Sequence, residues 1–275
     1  MTSRPTRPLT LLAAILTLAP AAAVACGDKT PAQKEVTVAS EGGFDHSHAA
    51  LTDLLAKYVS DGLVDYGRWK ADGTGPLDSY LETLAAVSRA DYDGWTGDQQ
   101  LAYWINTYNA YMARKVLDHY PLGSVKNIGA ADFSIFKKRF IPSPRLEGRE
   151  LSLDAVEHEI IRKRFGDARI HFALVCAASS CPELREEAFR AADLDAQLDD
   201  QGRRFLGDHE KNRYNAGTGK IYLSKIFEWF RGDFKKSAGS VKKFVEPYLP
   251  DDARAALAAG ARIGFLKYDW SLNDR

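Results

Sequence analysis

The sequence predicts an α+β fold: one helix-rich domain with a small central sheet. Three observations carry that reading. Most of the chain repeats apolar residues at helical spacing, only a few short runs read as strands, and the two kinds do not alternate regularly. No internal repeat, low-complexity block or Pro/Gly-rich linker divides the chain after residue 44, so residues 44–275 read as a single globular domain.

Bulk composition agrees. With 275 residues, 45% of them hydrophobic and 27% charged, the chain has the material for a sizeable core. Lys plus Arg and Asp plus Glu both total 37, which leaves no net charge to draw nucleic acid or an anionic membrane. Neither is expected as a direct partner.

The N-terminus reads differently. Arg4 and Arg7 are followed by an uncharged, mostly apolar run from Leu9 to Ala19 and a small-residue stretch from Pro20 to Ala25, the pattern of a secretory signal over residues 1–25. The end of that stretch, Ala23-Val24-Ala25-Cys26, fits cleavage after Ala25, and it also resembles a lipoprotein box whose leading position is Ala23 in place of the usual Leu. A lone cysteine at the cleavage point favours lipidation of Cys26, which would anchor the protein to a membrane surface without a spanning helix. Residues 26–43, polar with Gly, Pro, Lys and Glu, then read as a flexible tether. The expected location is the cell envelope, periplasmic or membrane-anchored, where nearby thiols can oxidise.

In chain order, helices are predicted over 47–60, 77–88, 98–119, 152–165, 182–191, 193–206, 225–231, 238–247 and 251–259. Strands are predicted over 169–176 and 220–224, with weaker signals at 263–268 and in a hairpin over 139–151. Two helices carry polar residues where apolar ones belong. In 98–119, Leu101, Ile105, Tyr108, Met112 and Val116 form an apolar seam that Ala102, Ala113 and Leu117 widen, leaving solvent a strip around Thr107, Arg114 and Asp118. Asn109 falls within the widened face and Asn106 near its far side, so both must be hydrogen-bonded, either bracing a neighbouring backbone or orienting a catalytic group or substrate.

In 152–165, Ser152 is the N-cap, Gly166 the stop, and Leu153, Val156, Ile160 and Ile161 the core face. Glu157 lies within that face and His158 at its edge. A carboxylate there needs a partner, and Arg164 is the local candidate for a structural ion pair. The competing reading is an acid/base centre made by Glu157 and His158.

From Arg169 to Cys176 both alternating faces are apolar apart from His171, as in a doubly buried strand that points His171 and Cys176 in opposite directions. Cys181 precedes Pro182 and would cap the next helix, where unpaired N–H groups activate a thiol. Four readings stay open: two ordinary buried cysteines, a Cys176–Cys181 disulfide, a Cys181 nucleophile served by His158 or His171, and zinc. Zinc lacks a second Cys or His pair at matching spacing, so neither a metal nor any other cofactor is expected.

Five ordered segments carry a family resemblance: LAYWINTYNAY at 101–111, LSLDAVEHEIIR at 151–162, RIHFALVCAASSCPEL at 169–184, LSKIFEWFRGDF at 223–234 and YDWSLND at 268–274. Together they resemble the bacterial, secreted or lipoprotein branch of domain-of-unknown-function family 547 (DUF547) over roughly residues 44–274. The resemblance brings no established activity. It implies that a shared mechanism would lean on Asn106, Asn109, Glu157, His158 and His171 more than on Cys181, a position that distant branches often fill with Ser.

The expectation is an envelope enzyme of hydrolase or transferase type. Glu157 and His158 would form the acid/base centre, His171 and Asn106 would orient or bind, and Cys181 would be the nucleophile. The rival is a non-catalytic envelope lipoprotein that binds a small molecule or an envelope protein in a groove beside the central helix. A redox role for the cysteines ranks last, because the chain has no Cys-x-x-Cys. The enzyme reading requires a solvent-reachable pocket in which at least three of Asn106, Glu157, His158, His171 and Cys181 converge, and fails if they are scattered or sealed inside the core.

Overall fold

One helix, Gly97–His119, organises the core. Its start is fixed by a capping box: Gln99 N–H donates to Thr96 Oγ1 (3.2 Å), while Thr96 N–H donates to the Gln99 side-chain oxygen (2.9 Å). From Leu101 to Ala113 every residue is buried, including Thr107, whose hydroxyl donates to Tyr103 O at 2.7 Å. The solvent strip expected at Thr107 is therefore absent and begins only at Arg114.

The computed structural model describes residues 43–275, which form one compact unit. The expected signal segment (1–25), Cys26 and residues 26–42 of the tether lie outside the described residues. Around the central helix pack helices Tyr66–Asp72 and Gly75–Ala86 and a helical segment over 153–164. The fold is α+β and helix-rich, with its strands in three small sheets. Val59–Ser60 pairs with Leu63–Val64, and Ile141–Ser143 pairs with Arg149–Leu151 as the expected hairpin. Arg213–Asn215, Lys220–Leu223 and Arg262–Phe265 form the third, antiparallel and then parallel. No helix among the described residues is long and apolar enough to cross a membrane.

Two predicted elements are replaced by irregular backbone. The strand expected over 169–176 is a single helical turn, Ile170–Ala173, followed by extended residues. An apolar run this short does not distinguish a buried strand from a buried turn of helix. Here Asp167 decides it, accepting from Arg169 N–H at 2.8 Å while its backbone carbonyl accepts from Ile170 N–H. The helix expected over 182–191 is absent, so Cys181 caps nothing.

Both irregular segments are buried, and buried backbone must be paired. The two central asparagines pair it. Asn109 donates to Ala173 O and accepts from Val175 N–H, both at 2.9 Å, which is how a neighbouring strand would bond. Asn106 treats Phe189 alike, donating to its carbonyl (2.7 Å) and accepting from its N–H (3.0 Å). Helix Leu194–Gly207 adds two glutamines: Gln197 bonds Ala188 O and Arg190 N–H, and Gln201 donates to Glu183 O. Of the readings open for Asn106 and Asn109, the backbone brace is the one their contacts display.

Candidate functional site

Glu157 and His158 lie on a π-helix, Ala155–Ile161, inside the segment expected to be regular α-helix. Ser152 caps it as predicted, its Oγ accepting from Ala155 N–H at 3.1 Å, and Gly166 ends it at φ 69°. A π-turn inserts one residue per turn and re-aims the side chains after it, and such turns concentrate at functional sites. Arg164 leaves this neighbourhood and pairs with Glu147 at 3.0 Å, so the ion pair expected between Arg164 and Glu157 does not form.

The side chains that do gather are Glu157, His158, Arg162, His171 and Asp233. His171 is buried, its ring stacked on Phe230 with centroids 3.9 Å apart, and its Nε2 lies 2.8 Å from Asp233 Oδ2. Arg162 grips the same carboxylate through Nε at 2.6 Å and Nη2 at 2.9 Å, and offers Nη1 to His158 Nδ1 at 3.1 Å. These donors assign the tautomers. His171 carries its proton on Nε2 and turns the Nδ1 lone pair toward Glu157, 3.9 Å away, while the Nδ1 lone pair of His158 is occupied by Arg162. Glu157 Oε1 is also 3.8 Å from His158 Nδ1. Both distances exceed a hydrogen bond, so neither ring takes up the Glu157 carboxyl.

The electrostatics follow from burial. Glu157, its side chain 13% exposed, is pushed up to about 8, first by burial, against the pull of Arg162, and with further help from Cys176, Asp154 and Asp233. Burial lowers His171, with Asp233 opposing, and burial and then Arg162 lower His158. Asp233 is held well below the carboxylate range by hydrogen bonds from His171 and Arg162. At neutral pH the cluster is thus an uncharged Glu157 acid facing an uncharged imidazole, with the charge confined to the Arg162–Asp233 pair.

Residues 92–206 match the family described as a protein of unknown function, DUF547. Over these residues the chain is similar to the DUF547 family. No match was found among curated proteins or among solved structures. The DUF547 region supplies Asn106, Asn109, Glu157, His158, Arg162 and His171, and Asp233 reaches the site from beyond it.

Of the five residues expected to meet in a pocket, Glu157, His158 and His171 converge, at a place where His171 is buried and outside the lining of a cleft of about 730 Å³, while Asn106, like Asn109, serves the backbone instead. Cys181 lies against Cys176 with the sulfurs 2.9 Å apart, both thiols free. Arg162 and Asp233 were missed by sequence reasoning although both stand inside motifs quoted for the resemblance. Asp233 falls in the gap between two predicted helices, where the structure forms helix Arg231–Ala238, and nothing in the sequence pointed it at His171.

The cleft of about 730 Å³ is lined from within the matched region by Ser124, Lys126 and Asn127 and from beyond it by Tyr268 and Trp270. Trp229, 47% exposed, stands over Tyr268 with ring centroids 4.8 Å apart. The hydroxyl of Tyr268 lies 3.3 Å from Cys176 Sγ, which links the cleft wall to the cysteine pair. Among the described residues, no group of three or more His, Cys, Asp or Glu side chains is placed to hold a metal ion.

Proposed function

We propose that this protein is a cell-envelope enzyme of hydrolase or transferase type that works by acid/base catalysis at Glu157. The observation that carries the reading is a carboxyl raised to about 8 on a π-helical turn, facing an imidazole that a carboxylate and a guanidinium hold in one tautomer. A carboxylic acid kept protonated near neutrality donates a proton to a leaving group, and its conjugate base takes one back from water or an acceptor alcohol or amine. His171, oriented by Asp233, presents its Nδ1 lone pair 3.9 Å from the Glu157 carboxyl and lines the site beside it. His158, its side chain 41% exposed, faces the solvent side, where a substrate would enter. The envelope location rests on the leader pattern and Cys26 in the sequence.

The test is a panel of chromogenic acyl esters, anilides, phosphoesters and glycosides, offered to wild type and to Glu157→Gln. Turnover of whichever substrate responds should fall on the order of 10²-fold or more in the variant. A Glu157→Gln protein that turns over that substrate at the wild-type rate would contradict the proposal. The rival reading, ligand binding without chemistry, draws on the aromatic-walled cleft, which has the size of a small-molecule site.

A further inference from the structure

The acid/base centre leaves the sulfur pair unused, and the loop that carries it is built with unusual care. Ala177 turns the chain through the left-handed region (φ 59°), a conformation that crowds the side chain of any residue but glycine. The C-terminal YDWSLND segment holds the turn in place. Asn273 N–H donates to Ala177 O (3.1 Å), Ser179 N–H to Ser271 O (2.8 Å), Ser180 N–H to Asp269 O (3.2 Å), and Asp269 N–H to Ser180 Oγ (2.9 Å). The turn brings Cys181 back onto Cys176, so a five-residue separation in an irregular loop achieves what a Cys-x-x-Cys achieves at a helix start.

The two sulfurs are not equivalent. Cys181 is 3% exposed, whereas Cys176 is partly exposed and touches the hydroxyl of cleft-lining Tyr268. Cys176 N–H donates to Cys181 Sγ at 2.9 Å. Hydrogen bonding with Cys181 and then with Tyr268 draws the Cys176 thiol down against its burial, while burial and then the neighbouring Cys176 push Cys181 up. A partly exposed sulfur backed by a buried thiol is the division of labour that thiol–disulfide exchange requires.

We propose that Cys176 and Cys181 form a thiol–disulfide exchange site whose substrate is an organic disulfide reached through the Tyr268 cleft. The Cys176 thiolate attacks one sulfur of the substrate R–S–S–R. That S–S bond breaks, a Cys176–S–S–R bond forms, and R–S⁻ leaves and takes a proton. Cys181 then gives up its proton to solvent and attacks Cys176 Sγ, expelling the second R–S⁻. The protein dithiol is oxidised by two electrons to a Cys176–Cys181 disulfide, and the substrate is reduced to two thiols. A thiol reductant reverses both steps. This activity does not depend on Glu157 as an acid.

The experiment uses the full chain, oxidised glutathione as the disulfide, and intact-mass measurement with peptide mapping that sets Cys26 apart from Cys176 and Cys181. Wild type should pass to an internal disulfide that dithiothreitol reopens without denaturant. Cys181→Ser should stop at one glutathione on Cys176, and Cys176→Ser should form adduct at least tenfold more slowly. Tyr268→Phe should raise the pH midpoint for alkylation of Cys176 by iodoacetamide. If Cys181→Ser does not fold, peptide mapping of partly alkylated wild type decides, since Cys176 must react first. The proposal is overturned if both wild-type thiols remain open after oxidised glutathione, if the two single variants react equally, or if the disulfide reopens only in denaturant.

Discussion

His171 Nδ1 lies 3.9 Å from Glu157 Oε1 while its Nε2 lies 2.8 Å from Asp233 Oδ2. One imidazole thus stands between two carboxyl groups of opposite character, one ionised by its hydrogen bonds and one kept protonated by burial. Environment alone assigns them different roles, which is how acid and base functions are separated within one site.

The protonated Glu157 makes stability depend on pH with a definite sign. A carboxyl at about 8 in the folded chain and near 4.5 when unfolded binds more protons folded than unfolded between those values. Its contribution is complete below the unfolded value and is lost as pH rises through about 8, with a slope of at most ~1.4 kcal/mol per pH unit. Urea denaturation at several pH values should therefore show Glu157→Gln gaining on wild type from pH ~5 to ~8 and running parallel above. Parallel curves throughout would mean an ordinary carboxyl.

Asp233→Asn should weaken the site through its geometry. Arg162 loses a bidentate carboxylate and His171 loses the acceptor that fixes its tautomer. Both members of the Arg162–Asp233 pair are roughly a third exposed, so solvent screening keeps the stability cost to about 1–2 kcal/mol. Turnover should fall at least tenfold. ¹⁵N spectra of labelled imidazoles should show His171 as the Nε2–H tautomer in wild type and a mixture in the variant.

Asn109→Ala should be costly for a different reason. It strands Ala173 O and Val175 N–H in the core, a loss of about 2–4 kcal/mol in urea denaturation. A loss under 1 kcal/mol would show that the segment after His171 finds other partners.

Gly202→Ala sets two effects against each other. Alanine gains about 1 kcal/mol in helix propensity, but its Cβ would lie 2.8 Å from Tyr248 Cδ1 and 2.9 Å from Phe172 Cε2. Overpacking of that kind costs about 1–3 kcal/mol, so the variant should be the less stable protein, with a lower Tm.

The sequence made the periodic elements legible, and the irregular ones escaped it. The capped central helix, the 139–151 hairpin and the helix begun by Ser152 follow from spacing, caps and turn residues, all local signals. The turn at Ile170–Ala173 and the buried loop after Cys181 depend on amides from Asn106, Asn109, Gln197 and Gln201, partners that no local pattern identifies. The same misreading gave Cys181 to a helix start, and although a Cys176–Cys181 pairing stayed open in the sequence, the left-handed turn at Ala177 that brings the two sulfurs together has no local signal. In the site, Glu157 was visible because a carboxylate on an apolar face is anomalous, and Asp233 was not because an acid beside Arg231 and Gly232 reads as surface.

The central claim is the ionisation of Glu157, and carbon-detected NMR of protein labelled at glutamate Cδ measures it directly, with Glu157→Gln identifying the resonance. The account predicts a Glu157 carboxyl that is protonated at pH 7 and titrates near 8. A resonance that titrates near 4.5, the ordinary value, would contradict it.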